Sequence, residues 1–424
     1  MNRKKTFKFI SLFCFFICLF FSFLAIKKNY NILIVLFNSE SVTAEDFKYI
    51  NKYCNKFNYR LIDVKDCENA MDVYSLIKAK YSHFYNKIKG VQIFGTKEDV
   101  PAFKCKFSCK MLGSDEVNDY YGTFYSDFCY SNFVADAEDL KDPIKIYYIE
   151  KNRTKFSFVP KWQVARVLLT RGQIAKYIKK HEDFYSKYNP NELKTSVFSC
   201  TVLDEPKTPD DMCYFMKEKL DNEFKLLKTK YSLYGNKLGE FPIKYAEDGD
   251  FTAANIVREN KQEPQNFMIS THGFKQQIVQ SIKWPDEEKD HLYKFLSVNN
   301  INKKLKHNYY TLNTWCCYLA QGLDQNTIIS KAMRGKCIDA IAATNILSNN
   351  GSNNTASALE LENNNPFFFH YEFYKNLAQG NTRSQSFYNA KRAYAKTIVH
   401  HKNLENYQYN LHNILSLHYF GLIV

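Results

Sequence analysis

The sequence predicts an α/β protein with a mostly parallel sheet covered by helices. Three observations lead there. Short, mainly apolar runs of the kind that form strands buried on both faces recur along the chain, as in residues 31–37 (NILIVLF) and 338–344 (IDAIAAT). Stretches with apolar residues at helical spacing lie between them, and Gly, Pro and Asn mark the ends of both kinds of segment. Strands alternating with helices are the pattern of a parallel sheet whose crossovers cover its faces.

Taken in order, residues 31–37 form the first strand. Thr43 and Asp46 make a variant of the capping box, and Phe47, Ile50, Cys54 and Phe57 follow at helical spacing. Residues 91–94 are a second buried strand, closed by Gly95 and Pro101. Residues 102–160 are rich in Asp, Tyr and Cys and read as loops over one end of the sheet, with a strand-like piece at 144–149. A strand at 164–169 and an amphipathic helix at 173–185 come next, and the turn Asn189-Pro190-Asn191 marks a boundary between two α/β halves, 29–190 and 191–424.

In the second half, strands are predicted at 197–203, 267–271, 309–315 and 338–344, with helices at 209–228 and 327–333. Residues 348–354 (SNNGSNN) are a polar loop.

Composition fits this picture. A chain of 424 residues that is 45% hydrophobic and 24% charged is globular and long enough for two or three domain-sized units. The net charge is +14, but six of those charges, on Arg3, Lys4, Lys5, Lys8, Lys27 and Lys28, flank one apolar run and leave +8 spread over the rest. With no basic stripe and no zinc-knuckle spacing, nucleic-acid binding is not implied.

That apolar run, residues 9–26, is uncharged over 18 positions and has no small-x-small cleavage site after it. It predicts a signal anchor within 1–28, a cleaved signal peptide being the alternative. The basic flank sends the remainder across the membrane. Outside the cytoplasm, disulfides are permitted, and Cys105, Cys109 and Cys129 are the nearest cluster. Zinc is the competing reading there, but no histidine or second Cys pair sits at ligand spacing. No cofactor is implied.

Two strands end in residues that nucleophilic catalysis pairs. Residues 267–271 run into His272-Gly273, and residues 309–315 into Cys316-Cys317. In an open α/β sheet, reacting groups gather beyond the carboxyl ends of parallel strands, so neighbouring strands here would present both side chains at one edge. A cysteine attacks a carbonyl as thiolate while an imidazole passes the proton to the leaving group. The backbone N–H groups of Gly273 and of the nucleophile would serve the oxyanion, and a glycine lets a substrate carbonyl approach. The plainer reading is a strand-end histidine and two core thiols, and the vicinal Cys316-Cys317 pair could also be structural or redox-active.

The order of these segments resembles the gingipain-like cysteine peptidases of the caspase, legumain and clostripain clan. Residues 31–37 resemble the opening strand of that family, and VQIFGTKEDVP at 91–101 its second strand and Val/Ile-Pro turn. Asp119-Tyr120-Tyr121-Gly122 resembles an Asp-x-x-Tyr-Gly element, and residues 164–185 the Gly-Arg strand and its helix. Near the end, FYNAKRAYAK and ILSLHYFG resemble the last helix and closing strand.

The resemblance implies a caspase-like (caspase-hemoglobinase) sandwich of two α/β subdomains. It also implies a cysteine endopeptidase acting outside the cytoplasm on protein or peptide substrates through a Cys-His dyad and a thioester. The dyad would be His272 with Cys317 or Cys316. The clan has a small residue before the nucleophile and another three positions after it, which Cys316 and Ala320 supply for Cys317. Choosing Cys316 would instead align Asn313 with an Asp of gingipains. Thr96, Ala165, Lys161 and Gly172 depart from the family pattern, the last two where acids tied to Arg recognition are expected, so Arg specificity is not implied. Gly421 lacks the following Asp-Pro, and calcium is not supported as a structural ion. A catalytically silent, membrane-anchored binding module and a transpeptidase using the same dyad are the alternatives.

Overall fold

The computed structural model describes residues 31–110, 117–118, 122–132, 144–147, 159–199, 231–234, 251–282, 291–345, 347, 366–398 and 404–424. The apolar run 9–26, the helix expected at 209–228 and the polar loop 348–354 lie outside these residues. Among the described residues no helix is long and apolar enough to cross a membrane.

The first half is built from β1 (Ile32–Phe37), α1 (Ala44–Cys54), β2 (Asn58–Asp63), α2 (Ala70–Tyr81) and β3 (Ile88–Phe94). A small separate sheet follows, formed by β4 (Phe103–Lys110), β5 (Val117–Asn118), β6 (Thr123–Ser126) and β7 (Ile144–Tyr147), and then come β8 (Gln163–Val167) and α3 (Ile174–Lys187). The second half has β9 (Lys194–Ser199), β10 (Tyr231–Tyr234), α4 (Phe251–Gln262), β11 (Gln265–Ser270), β12 (His272–Phe274), β13 (Gln277–Ile282) and β14 (His291–Ser297). It continues with α5 (Ile301–Lys304), β15 (Tyr310–Trp315), α6 (Ile328–Arg334), β16 (Cys337–Ala343), α7 (Pro366–Ala378), α8 (Arg383–Ile398), α9 (Leu404–Ser416) and β17 (Leu417–Phe420).

Ten of these strands make one sheet in the order β10-β9-β11-β15-β16-β17-β8-β3-β1-β2. The pairs from β10 to β16 are all parallel, and so are those from β8 to β2. The last strand of the chain, β17, lies between these two blocks, antiparallel to β16 and meeting β8 at Phe420↔Arg166. Burial explains the apolar runs. All six residues of β1 and all seven of β16 are buried, as expected for central strands with helices on both faces.

Helix starts follow the local chemistry. The Thr43 side chain accepts the Asp46 N–H while the Asp46 carboxylate accepts the Thr43 N–H, which closes the capping box of α1. The same carboxylate accepts the N–H groups of Gly172 (2.6 Å) and Ala175 (2.8 Å) at the start of α3. Burial pushes the Asp46 carboxyl up, yet its backbone donors at Ala175, Thr43 and Gly172 outweigh that and hold it below its ordinary value. One carboxylate thus caps α1 and joins it to α3.

One sequence expectation is corrected. Residues 102–160 are not a run of loops: β4, β5, β6 and β7 form a sheet of their own, with β4 pairing β6 antiparallel from Phe103↔Ser126 to Lys106↔Thr123. The Asp and Tyr content hid the alternation, because the small sheet packs one face on the core and so has no continuous apolar run. Cys105 in β4 and Cys129 in the turn after β6 are both buried.

Two buried ion pairs lock the layers. Arg383 of α8 reaches both carboxylate oxygens of Asp339 in β16 through Nε (2.8 and 3.0 Å) and Asn266 of β11 through Nη1 (3.1 Å). Arg166 in β8 donates to both oxygens of Asp127 at 2.7 Å, and to the carbonyls of Gly95, Thr96 and Val100. Arg166→Leu is expected to leave Asp127 buried without its partner and to lower the stability of the folded chain by about 3–5 kcal/mol in urea unfolding.

Candidate active site

The strands β11 and β15 are parallel neighbours whose ends are level, at Ser270↔Trp315, and the Thr271 N–H donates to the Trp315 carbonyl. The chain therefore delivers His272 and Cys316-Cys317 to the same edge of the sheet. Beyond that edge His272 opens the small antiparallel sheet β12-β13-β14, with His272↔Val279 and Gly273↔Ile278 paired and the His272 side chain exposed.

Gly273 is where the two segments touch. A Cβ placed on it would lie 2.5 Å from the Cys317 carbonyl oxygen, 2.8 Å from Leu319 Cδ2 and 2.9 Å from Cys316 Cβ. Two of those neighbours belong to the backbone or the first side-chain atom of the cysteine loop, so any side chain would push the histidine segment off the cysteines. The need for glycine thus comes first from the protein itself, a reason that the sequence, read for substrate approach, does not reveal.

The two cysteines differ in access. Cys316 is 0% exposed, and its thiol points to the Ile269 carbonyl of β11 at 3.6 Å. Cys317 is half-buried, and its Sγ accepts the Leu347 N–H at 3.4 Å. The loop that carries it is clamped by the chain leaving β16: the Tyr318 N–H donates to the Asn345 carbonyl (3.1 Å) and the Ala320 N–H to the Ala343 carbonyl (2.9 Å). Residues 343, 345 and 347 alternate along this clamp, as in a short antiparallel ladder. The clamp is itself held from α9, where the Thr344 N–H donates to the Ser416 carbonyl (2.9 Å) and the Asn345 amide meets His412 Nε2 (3.2 Å). No motif signals this support, because its members lie about 30 and 95 positions downstream of Cys317 and act mostly through backbone groups.

Burial pushes the Cys317 thiol above its ordinary value, and the N–H groups of Leu347 and of Cys317 itself oppose this by favouring the thiolate. A pocket of 430 Å³ adjoins the pair, lined by Phe274, Lys275, Gln276, Gln277, Tyr318 and Gln321. Its rim is fixed by the Lys275–Asp324 ion pair (2.5 Å) and by the Ile328 N–H, which donates to the Lys275 carbonyl. From the other half of the chain, the Lys97 N–H donates to the Leu323 carbonyl (3.0 Å), so the turn after β3 borders the same loop. Thr96, which stands where an acid was expected, is held in that turn by Asp99, whose carboxylate accepts its N–H and hydroxyl. Among the described residues no group of three or more His, Cys, Asp or Glu is arranged to hold a metal ion.

The sequence matches no protein-family model and no curated protein. Its fold is similar to solved structures of a cysteine proteinase. The Arg-specific cysteine proteinase gingipain R (RgpB) aligns with a TM-score of 0.56 and 13% identity, over 93% of this chain and 77% of that one. The complex of the pro- and mature domains of RgpB from Porphyromonas gingivalis gives 0.57 and 14%, over 92% and 78%. A further structure, described as a protease, gives 0.56 and 11%, over 93% and 77%. The chain thus has the gingipain-like fold, an α/β arrangement of the caspase-like peptidase kind with a mostly parallel central sheet flanked by helices.

The Leu347 contact has a measurable consequence. Leu347→Pro removes the N–H that favours the thiolate, so the pH midpoint for alkylation of Cys317 by iodoacetamide is expected to rise further. At a fixed pH below the midpoint each unit of rise lowers the thiolate population roughly tenfold. Stopped alkylation followed by mass spectrometry of the Cys316-Cys317 peptide checks it.

Proposed function

We propose that the protein is a cysteine endopeptidase in which Cys317 is the nucleophile and His272 the general acid and base. The observation that carries this reading is the meeting of His272-Gly273 with Cys316-Cys317 at the ends of adjacent parallel strands, with Gly273 in contact distance of the cysteine backbone. Cys317 is favoured over Cys316 because the residue is partly exposed, whereas Cys316 is fully buried against the Ile269 carbonyl. The likeness of the fold to gingipain R supports the choice of reaction class.

In this mechanism His272 takes the proton of the Cys317 thiol, and the thiolate attacks the carbonyl carbon of a peptide bond. The oxyanion that forms is met by the N–H groups of Gly273 and Cys317. As the C–N bond breaks, His272 returns the proton to the leaving amine, and a thioester to Cys317 remains. Water, deprotonated by His272, attacks the thioester, and the acid leaves with the thiol restored. The substrates are peptides or proteins met outside the cytoplasm, the apolar run 9–26 serving as signal anchor or signal peptide.

Cleavage of a peptide library by the chain is the test, with Cys316→Ala, Cys317→Ala and His272→Ala in parallel and circular dichroism as the folding control. Cys317→Ala and His272→Ala are expected to be folded and without turnover, and Cys316→Ala folded with measurable activity. Full activity in a folded Cys317→Ala chain would sink the assignment. The absence of an acid at Lys161 and Gly172 leads to a profile that is not dominated by Arg before the cut.

A further inference from the structure

Three features of the 430 Å³ pocket beside Cys317 belong together. Its lining comes from two segments, the turn after His272-Gly273 (Phe274, Lys275, Gln276 and Gln277) and the loop after Cys317 (Tyr318 and Gln321). A side chain lying there would flank whatever bond is held between the dyad residues. Its size falls within the ordinary range of sites for small ligands or single side chains, roughly 300–1,000 Å³.

The second feature is backbone conformation. Tyr318 has φ +59°, the left-handed region that bulky residues rarely occupy. The loop imposes this, since the Tyr318 N–H is bound to Asn345 and its carbonyl accepts the Gln321 N–H (2.9 Å). A glycine would meet that demand without cost, yet the chain has a tyrosine, and this residue lines the pocket. Outliers of this type gather at functional sites, and here the outlier directly follows Cys317.

The third is exposed aromatic surface. Phe274 is 42% exposed, in a chain whose other described phenylalanines, apart from Phe47, are largely covered. Tyr318 and Phe274 give the pocket two aromatic walls, and three carboxamides, Gln276, Gln277 and Gln321, line the rest. None of the six lining residues is acidic, and the single cation, Lys275, is held by Asp324. Rings stack face-offset or edge-on against other rings, and carboxamides bond a phenolic hydroxyl or indole N–H, while a basic side chain finds no carboxylate on the wall.

We infer that this pocket is a specificity subsite for an aromatic side chain adjoining the scissile bond, with Phe274 and Tyr318 as the residues that select it. The inference rests on the peptidase reading of the dyad. It adds a substrate class: peptides with Tyr, Phe or Trp next to the cut.

The full chain, incubated with peptides that differ only in the residues flanking the cut, gives the primary measurement. At one flanking position kcat/KM is expected to be roughly tenfold or more higher for aromatic residues than for Gly or Lys. Phe274→Ser removes one wall, and Tyr318→Gly removes the other while keeping a residue that tolerates the left-handed backbone. Each is expected to bring the aromatic-to-glycine ratio towards one. Binding of the same peptides to Cys317→Ala, which needs no turnover, is the second readout and should favour aromatic peptides in the same proportion. Equal ratios in the unaltered chain, or an aromatic preference that survives both variants, would overturn the subsite. If no peptide is cut while Cys317→Ala still retains the aromatic ones, the subsite stands and the peptidase reading falls. If none is cut and retention shows no aromatic preference, the subsite falls as well.

Discussion

The last four-residue strand of the chain, β17, has to slot between two blocks of sheet whose facing strands, β8 and β16, lie far apart in the sequence, and the geometry of the site depends on its doing so. Its backbone ladder is thin on one side, a single pair with β8 at Arg166. Side chains from elsewhere make up the difference. Ser126 donates to the Leu415 carbonyl, Lys391 to Leu417, Gln92 to Gly421, and Tyr53 to Ile423, while Gln92 also accepts the Ile423 N–H. Each bond satisfies a buried carbonyl or amide that would otherwise cost free energy at a seam without a full ladder. The burial of Lys391 is the expensive member, since it pulls the ammonium down to about 7.

From that seam the constraint passes to the cysteine loop in two steps. The corner where α9 runs into β17 holds Thr344 and Asn345, and these, with Ala343 and Leu347, hold residues 317–320. Rigidity of this sort is what a nucleophile needs, because a thiol displaced by a fraction of an ångström from its near-attack position loses much of its advantage. The histidine side is fixed differently. Gly273 lies on the Cys317 carbonyl, and the Lys275–Asp324 pair and the Lys275 carbonyl fasten the following turn to the start of α6. The histidine and cysteine segments are thus secured by separate networks that meet at one glycine.

Much of this was legible in the sequence where burial leaves a period or a cap leaves a signature. The strands β1, β3, β8, β11, β15 and β16 lie within a few residues of their apolar runs, because central parallel strands are covered on both faces. Thr43-Asp46 announced α1 through its capping oxygens. The adjacency of β11 and β15 was inferable from what ends them, as both lead into residues of complementary chemistry. What stayed hidden has a common cause. The small sheet β4–β7, the hairpin beyond His272 and the clamp at 343–347 are edge or surface structures, half-buried and stabilised by backbone bonds to distant residues, and such bonds leave no trace in residue type. The closing strand β17 was recognisable only through the family resemblance.

The same distinction explains why the site is more informative than the sheet that carries it. A parallel sheet with helices on both faces is compatible with many chemistries, and a likeness at 11–14% identity conveys the fold alone. The features that narrow the choice are local departures from what the fold requires: a glycine with no room for a methyl group, a tyrosine in a glycine conformation, a phenylalanine left in water, and one cysteine of a pair kept half open. A core would gain stability by removing each of the last three, through Tyr→Gly at the turn, burial of the ring and closure over the thiol. All of them surround the ends of β11 and β15, where a substrate would have to lie, so the energetic compromises and the proposed chemistry share one location.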